Sequence, residues 1–329
     1  RKSMPEKFKF AFMPSASCGG CEIAIVDIDE VILKVAELAD IVYWPTALDF
    51  KDTDLEAIPD GGVTVGFFNG AVRNTHDVYH AKLMRQKSQV LVAFGACAQM
   101  GGIPSLGNFW TTEEIAHRMY DTVPSVVNPE GTRPQMTFDA PEGELTLPRA
   151  MERSYALDQV VDVDYYLPGC PPQVKWIVAA VEAVASGELP PKGTVIAGTK
   201  AVCDECPRER SEEKQITEFK RIHLVENDPE KCLLEQGIMC CGPATRDGCE
   251  AACVVAGQGC RGCFGPTDNV NDMGAKLASA IASIVIADTQ EEADKVLGQL
   301  DDPAGYFYRF GLAKSMLGVQ RGERKDGDE

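Results

Sequence analysis

The chain has 329 residues, 44% of them hydrophobic and 25% charged, which supports a sizeable core and excludes global disorder. Its net charge of −18 argues against a nucleic-acid binder, whose affinity comes from neutralising phosphates, and against anionic membrane surfaces. No run of about 18 apolar residues exists, so no membrane span is expected. The opening RKSMPEKFKF has neither an apolar signal segment nor a twin-arginine signal, although a cleaved leader would leave no trace. The excess charge serves solubility or steers a protein partner.

Taken in chain order, FKFAFMP (Phe8–Pro14) reads as a strand, and Cys21–Leu38 carries apolar residues at helical spacing. Ala39–Pro45 and Val63–Gly70 are apolar, β-rich runs closed by turn residues. Ser88–Ala98 and Val161–Pro172 repeat the theme, and PPQVKWIVAAVEAVASG predicts a helix. Strands alternating with helices predict an α/β, doubly wound parallel sheet. The polar, proline-containing segment 108–158 predicts a surface excursion within a first domain of residues 1–190, and Gly187–Lys200 a linker. Residues 200–329 predict a second, cysteine-rich, mostly irregular and helical domain, with helices returning after Met273 and a frayed tail, RGERKDGDE.

Thirteen cysteines, an odd number in a large chain, fit thiolate–metal chemistry better than a disulfide scaffold. The stretch SASCGGCE (Ser15–Glu22) alone admits a disulfide, a zinc half-site, a redox dithiol or half of an iron–sulfur ligand set. Cys18 and Cys21 follow the first strand, Cys97 follows QVLVAFG, and Cys170 follows VDYYLPG. Each sits where a predicted parallel strand ends, and such ends converge on one ligand-binding crevice. Gly19, Gly20, Gly95 and Gly169 let backbone N–H groups approach a bulky guest. Pro171 and Pro172 predict a helix start whose positive end favours a Cys170 thiolate. All-cysteine zinc sites usually show two CxxC knuckles. One pair plus two distant single cysteines is more like a cluster site.

SCGGCE, GACA and PGCPP, in this order and setting, resemble the small, electron-transferring subunit of nickel–iron hydrogenases. The corresponding subunit of respiratory complex I shares a related pattern but ends soon after PGCPP. CDECPRE, KCLLEQGIMCCGPATRDGCEAAC and CRGCFGP resemble the small subunit of the methyl-viologen-reducing, deazaflavin-non-reducing hydrogenase associated with heterodisulfide reductase. The resemblance covers nearly the whole chain and implies a flavodoxin-like first domain. It implies that Cys18, Cys21, Cys97 and Cys170 hold a proximal 4Fe-4S cluster beside the large subunit's active site. In the wider family the distal cluster is held by His-x-x-Cys and two further cysteines. Here Cys203 stands in the histidine's place, so Cys203, Cys206, Cys232 and Cys240 imply an all-cysteine distal cluster, whose extra negative charge lowers its potential.

Many relatives have three medial cysteines and a 3Fe-4S cluster; Cys249, Cys253, Cys260 and Cys263 here imply a complete 4Fe-4S cluster. Cys241, next to Cys240, is read as a packing residue. The CxxC pairs of the nickel–iron site, one in an Asp-Pro-Cys setting, do not occur in this sequence, so hydrogen cleavage is expected on a partner chain. The resemblance further implies a cytoplasmic setting, a small 2Fe-2S-type relay subunit, and heterodisulfide reductase subunits whose flavin splits electrons between disulfide and ferredoxin. The alternatives are a complex I-like quinone-reducing subunit and a zinc-stabilised scaffold. Among the remaining residues, Glu22 is a candidate for proton handling or a first-turn helix carboxylate. Arg73 follows a strand end and is a candidate neighbour of the proximal site or a structural ion pair. His76 and His80, four apart, are read as surface residues with His117 and His223. GGIPSLG lacks a strand–GxGxxG–helix setting and supports no nucleotide site.

Overall fold

The computed structural model describes residues 7–213 and 215–319. Five parallel strands form the central sheet: β1 (Phe8–Pro14), β2 (Ala39–Tyr43), β3 (Val63–Asn69), β4 (Ser88–Phe94) and β5 (Tyr165–Leu167). Their order, β2–β1–β3–β4–β5, is that of a flavodoxin-like, doubly wound sheet. The strands read as nearly unbroken apolar runs because both faces are buried. Along β1, Phe10 and Phe12 enter one core while Ala11 and Met13 enter the other. β3 and β4 repeat the alternation with Phe67 against Phe68 and Val92 against Leu91.

The first face is covered by α1 (Gly20–Val26), α2 (Val31–Leu38) and the helix Val174–Ser186. The second is covered by α3 (Asp52–Ala57), α4 (Thr75–Lys87) and the short α5 (Ala96–Met100). The long helix expected over 21–38 is therefore two. Asp27, Asp29 and Glu30 crowd like charges into the joint, and Asp29 takes a left-handed conformation (φ 52°) that this residue type tolerates.

Three further expectations shift. The strand expected over Val161–Pro172 is confined to β5, whose start is fixed by the buried Asp164. That carboxylate accepts from Leu91 N–H at 2.8 Å and from Arg85 at 2.7 Å, and pairs with Lys192 at 2.5 Å. The helix after Cys170 begins at Val174, behind the N-cap Gln173, rather than at Pro171. The linker is not free: Tyr166 N–H donates to Thr194 O at 3.1 Å and Ile196 N–H to Tyr166 O at 2.8 Å, so it lies along the sheet edge.

The 108–158 excursion carries a hairpin, Thr137–Ala140 with Gly143–Thr146, and a strand, Ala150–Tyr155, that pairs antiparallel with Val72–Asn74. Asn108 closes its base by exchanging two hydrogen bonds with the Ser154 backbone.

Beyond Lys200 the chain builds a separate core from short turns, two helices (Met273–Ala282 and Gln290–Leu297), and the buried Cys240, Cys241 and Cys260. The last described stretch then returns to the sheet half. Gly102 N–H donates to Phe310 O at 2.9 Å, Phe310 packs on Ala96 and Met100, and Gln159 donates to Ala313 O at 3.0 Å. Residues 1–6, in the opening read as lacking a signal segment, and the tail from Arg321, read as frayed, lie outside the described residues. No described helix is long and apolar enough to cross a membrane.

Candidate metal centres

The β1–α1, β4–α5 and post-β5 turns bring Cys18, Cys21, Cys97 and Cys170 into one electrostatic group. The close approach depends on glycine. A Cβ on Gly95 would stand 2.4 Å from Cys21 Sγ, and one on Gly102 2.4 Å from Cys97 Sγ. Gly19 leads into α1, Gly20 lies beside Cys18 Sγ, and Gly169 O accepts from Ala96 N–H at 2.7 Å, tying the β5 turn to the β4 turn.

Burial and the neighbouring thiols push the Cys21 thiol far up, and the Cys97 thiol up to about 11. Burial and Cys18 raise Cys170 as well. Such a quartet becomes fully thiolate only against a strong positive charge, and loading it releases protons.

Glu22 is buried beside Cys21 and accepts from Trp44 Nε1 at 3.1 Å. Arg73 is exposed and its backbone N–H donates to Asp77; it follows the Ala16–Ala71 bridge that joins the Cys18 turn to the β3 turn.

In the second half, Cys203 and Cys240 flank Gly242, whose added Cβ would lie 3.2 and 3.6 Å from their sulfurs. Cys206 and Cys232 lie close enough to raise the Cys240 thiol, behind burial as the main cause. All four residues assigned to the distal set are thus together. Of the medial set, Cys249 and Cys253 act on Cys263, which burial and these neighbours push up to about 12. Cys260 stands at the border of the two sets. Its N–H donates to Cys240 Sγ at 3.3 Å, and its sulfur lies 3.5 Å from Thr245 Oγ1. Cys241 is buried, pushed up to about 12 chiefly by that burial, and its thiol donates to Tyr306 O at 3.4 Å.

Backbone N–H groups reach several of these sulfurs: Ile103 to Cys97, Gly242 to Cys240, and Cys170 to Cys263. The last one joins the first group to the middle one directly. N–H···S bonds of this kind set cluster potential.

The spacing of the sulfurs discriminates between guests. Tetrahedral zinc with Zn–S bonds of about 2.3 Å requires sulfurs about 3.8 Å apart. Among the described residues no three cysteine sulfurs lie within 4.8 Å of one another. The described cysteine sets are thus not drawn tightly around a single ion.

Sequence reasoning missed the residues that join these groups. Glu205, inside the Cys203–Cys206 loop, accepts from the N–H groups of Gly248, Cys249 and Ala251 at 3.0–3.1 Å. Trp176 donates to Gly248 O at 2.8 Å and Gln173 to Cys249 O at 3.1 Å, fastening the sheet half to the Cys249 loop. Arg246, almost fully buried, donates to Gly198 O and Pro266 O. Only the acid within CDEC hinted at any of this.

The parallel sheet carries four cysteines at its strand ends and is followed by a module with nine more. Likeness to known proteins gives the class. Residues 18–184 match the family described as NADH ubiquinone oxidoreductase, 20 Kd subunit. The chain is 40% identical over 314 residues to the iron–sulfur subunit of the F420-non-reducing hydrogenase of Archaeoglobus profundus, covering 94% of this chain and 97% of that one. It is 38% identical to a vhu subunit of the F420-non-reducing hydrogenase of Methanocaldococcus jannaschii, covering 94% and 96%. In fold it is similar to a chain of the [NiFeSe] hydrogenase of Desulfovibrio vulgaris Hildenborough, with a TM-score of 0.52 at 18% identity, covering 80% and 95%. The chain belongs to the family of F420-non-reducing hydrogenase iron–sulfur subunits, and it is an oxidoreductase component.

Proposed function

We propose that this chain conducts electrons from the nickel–iron centre of a hydrogenase large subunit through three 4Fe-4S clusters. The proximal cluster would be held by Cys18, Cys21, Cys97 and Cys170, the medial by Cys249, Cys253, Cys260 and Cys263, and the distal by Cys203, Cys206, Cys232 and Cys240. The observation that carries the reading is the gathering of widely separated cysteines into thiol groups. Bound clusters supply one-electron redox chemistry. The chain's own part is to space the groups, exclude water and aim N–H dipoles at sulfur. The partly exposed Cys18 turn suits a large-subunit face, where Glu22 would handle protons and Arg73 would border the joint.

From the distal group, electrons would pass to a small 2Fe-2S-type subunit and on to a flavin-containing heterodisulfide reductase, in the cytoplasm. The family resemblance supports this last step. The 1–190 and 200–329 division would then separate the proximal holder from the medial and distal holders.

The test is metal content and spectroscopy of anaerobically purified chain with its large subunit. Twelve irons in this chain, four for each cysteine quartet, beside the one iron of the large subunit's nickel–iron centre, and 4Fe-4S signals on reduction are expected. Stoichiometric zinc bound through sulfur would overturn the reading in favour of a scaffold. A single cluster confined to the first quartet would leave only the complex I-like role.

A further inference from the structure

Outside the cysteine groups, Asp52, His76 and His80 form a second convergence of ligating atoms. His76 and His80 are four apart on α4 and therefore share one helix face. Asp52 opens α3, beyond the edge strand β2. His76 Nε2 lies 3.2 Å and His80 Nε2 3.0 Å from the same oxygen, Asp52 Oδ2. One ligating atom from each residue lies within 4.8 Å of the others.

The rings are held in place. His80 is buried, the His76 ring is parallel to that of Tyr79 at 6.0 Å, and the two imidazole centroids are 4.0 Å apart. Tyr43, buried in the core, donates its hydroxyl to Asp52 Oδ1 at 2.9 Å and so turns the other carboxylate oxygen toward the imidazoles. An outer hydrogen bond that orients a carboxylate is the usual support for a ligand.

One carboxylate oxygen takes both imidazole nitrogens, so the same three atoms that hydrogen-bond here are the ones an ion would collect. A tetrahedral ion with bonds of about 2.0–2.1 Å to nitrogen and oxygen sets its ligands about 3.3 Å apart. The observed 3.0 and 3.2 Å edges approach that value. His76 is exposed, which leaves a side open for a water or a fourth ligand.

We propose that Asp52, His76 and His80 bind a divalent, zinc-type ion that staples the segment after β2 to α4. The site stands apart from the cysteine groups and does not depend on their assignment. His76 is exposed, as read, whereas His80 is buried rather than at the surface, and both are directed at one carboxylate.

The experiment uses the full cluster-loaded chain, equilibrated anaerobically with Zn2+ and desalted, with zinc and iron counted and the zinc environment read by X-ray absorption. One retained zinc per chain with a nitrogen/oxygen shell near about 2.0 Å and imidazole scattering is expected. His76→Ala and Asp52→Asn should each abolish it with iron unchanged; the exposed His76 makes the first variant safe for folding. No retained zinc, zinc with a sulfur shell near about 2.3 Å, or full retention in both variants would overturn the site. Iron reports separately on the clusters, so the two proposals fail independently.

Discussion

The two halves of this molecule solve the packing problem in opposite ways. The sheet half builds its core from strand side chains such as Phe68, Leu91 and Met13, and its cysteines sit in turns at the rim. The later half has turns and short helices for most of its length, and Cys240, Cys241 and Cys260 are part of its core. Under the proposed function, one half would frame a guest while the other would be organised around it. Removing the guest should therefore expose the contrast.

The largest expected effect is on iron removal. Amides from about 200 to 285 should lose protection in hydrogen exchange while β1, β3 and β4 keep theirs. Equal loss in both halves would erase the distinction. Next comes Cys240→Ala, which should remove one cluster's share of iron, a third of the total, and leave the sheet's thermal transition in place.

Phe68→Ala tests the opposite side. It should cost about 3–5 kcal/mol of sheet stability, read by denaturant titration, because the cavity lies between the sheet and the helices packed on its second face. Asp164→Asn should cost about 2 kcal/mol, since it strips a buried carboxylate from Arg85, Lys192 and Leu91 N–H. Burial opposes the charge of Asp164, but Arg85 and Lys192 hold its carboxyl below the usual range. A depressed folded value means the unfolded chain binds more protons. That stability is present above about pH 4 and is lost as pH falls through the lower folded value. The variant's stability should lack this acid-side dependence.

The smallest effect belongs to Cys241→Ala. Iron should be unchanged and stability should fall by about 1 kcal/mol, the loss of a buried thiol bonded to Tyr306 O. Iron lost from Cys241→Ala but kept in Cys240→Ala would reverse the reading of that pair.

The sheet was legible in the sequence because period-two burial and strand-end turns leave a direct imprint: β1 and β3 fall within a residue of the runs read for them. The split at Asp29 and the brevity of β5 were not legible, because like-charge crowding and a distant anchor at Asp164 decide them. Cysteine positions named the candidates, but nothing local announced that Glu205 would collect three backbone N–H groups or that Gln173 and Trp176 would hold the Cys249 loop. Those contacts join segments more than forty residues apart. His76 and His80 show the same limit. Their spacing was visible, while Asp52 comes from another helix.

The return of Phe310 to Ala96 and Met100 has a consequence for biosynthesis. The ribosome releases the sheet half first, and domains fold largely in that order. The turn carrying Cys97 therefore lacks its last cover until about two hundred more residues have emerged. During that interval the turn carrying Cys97 is open on its Phe310 side, and completion of the chain covers that side while Cys18 and Cys170 stay exposed.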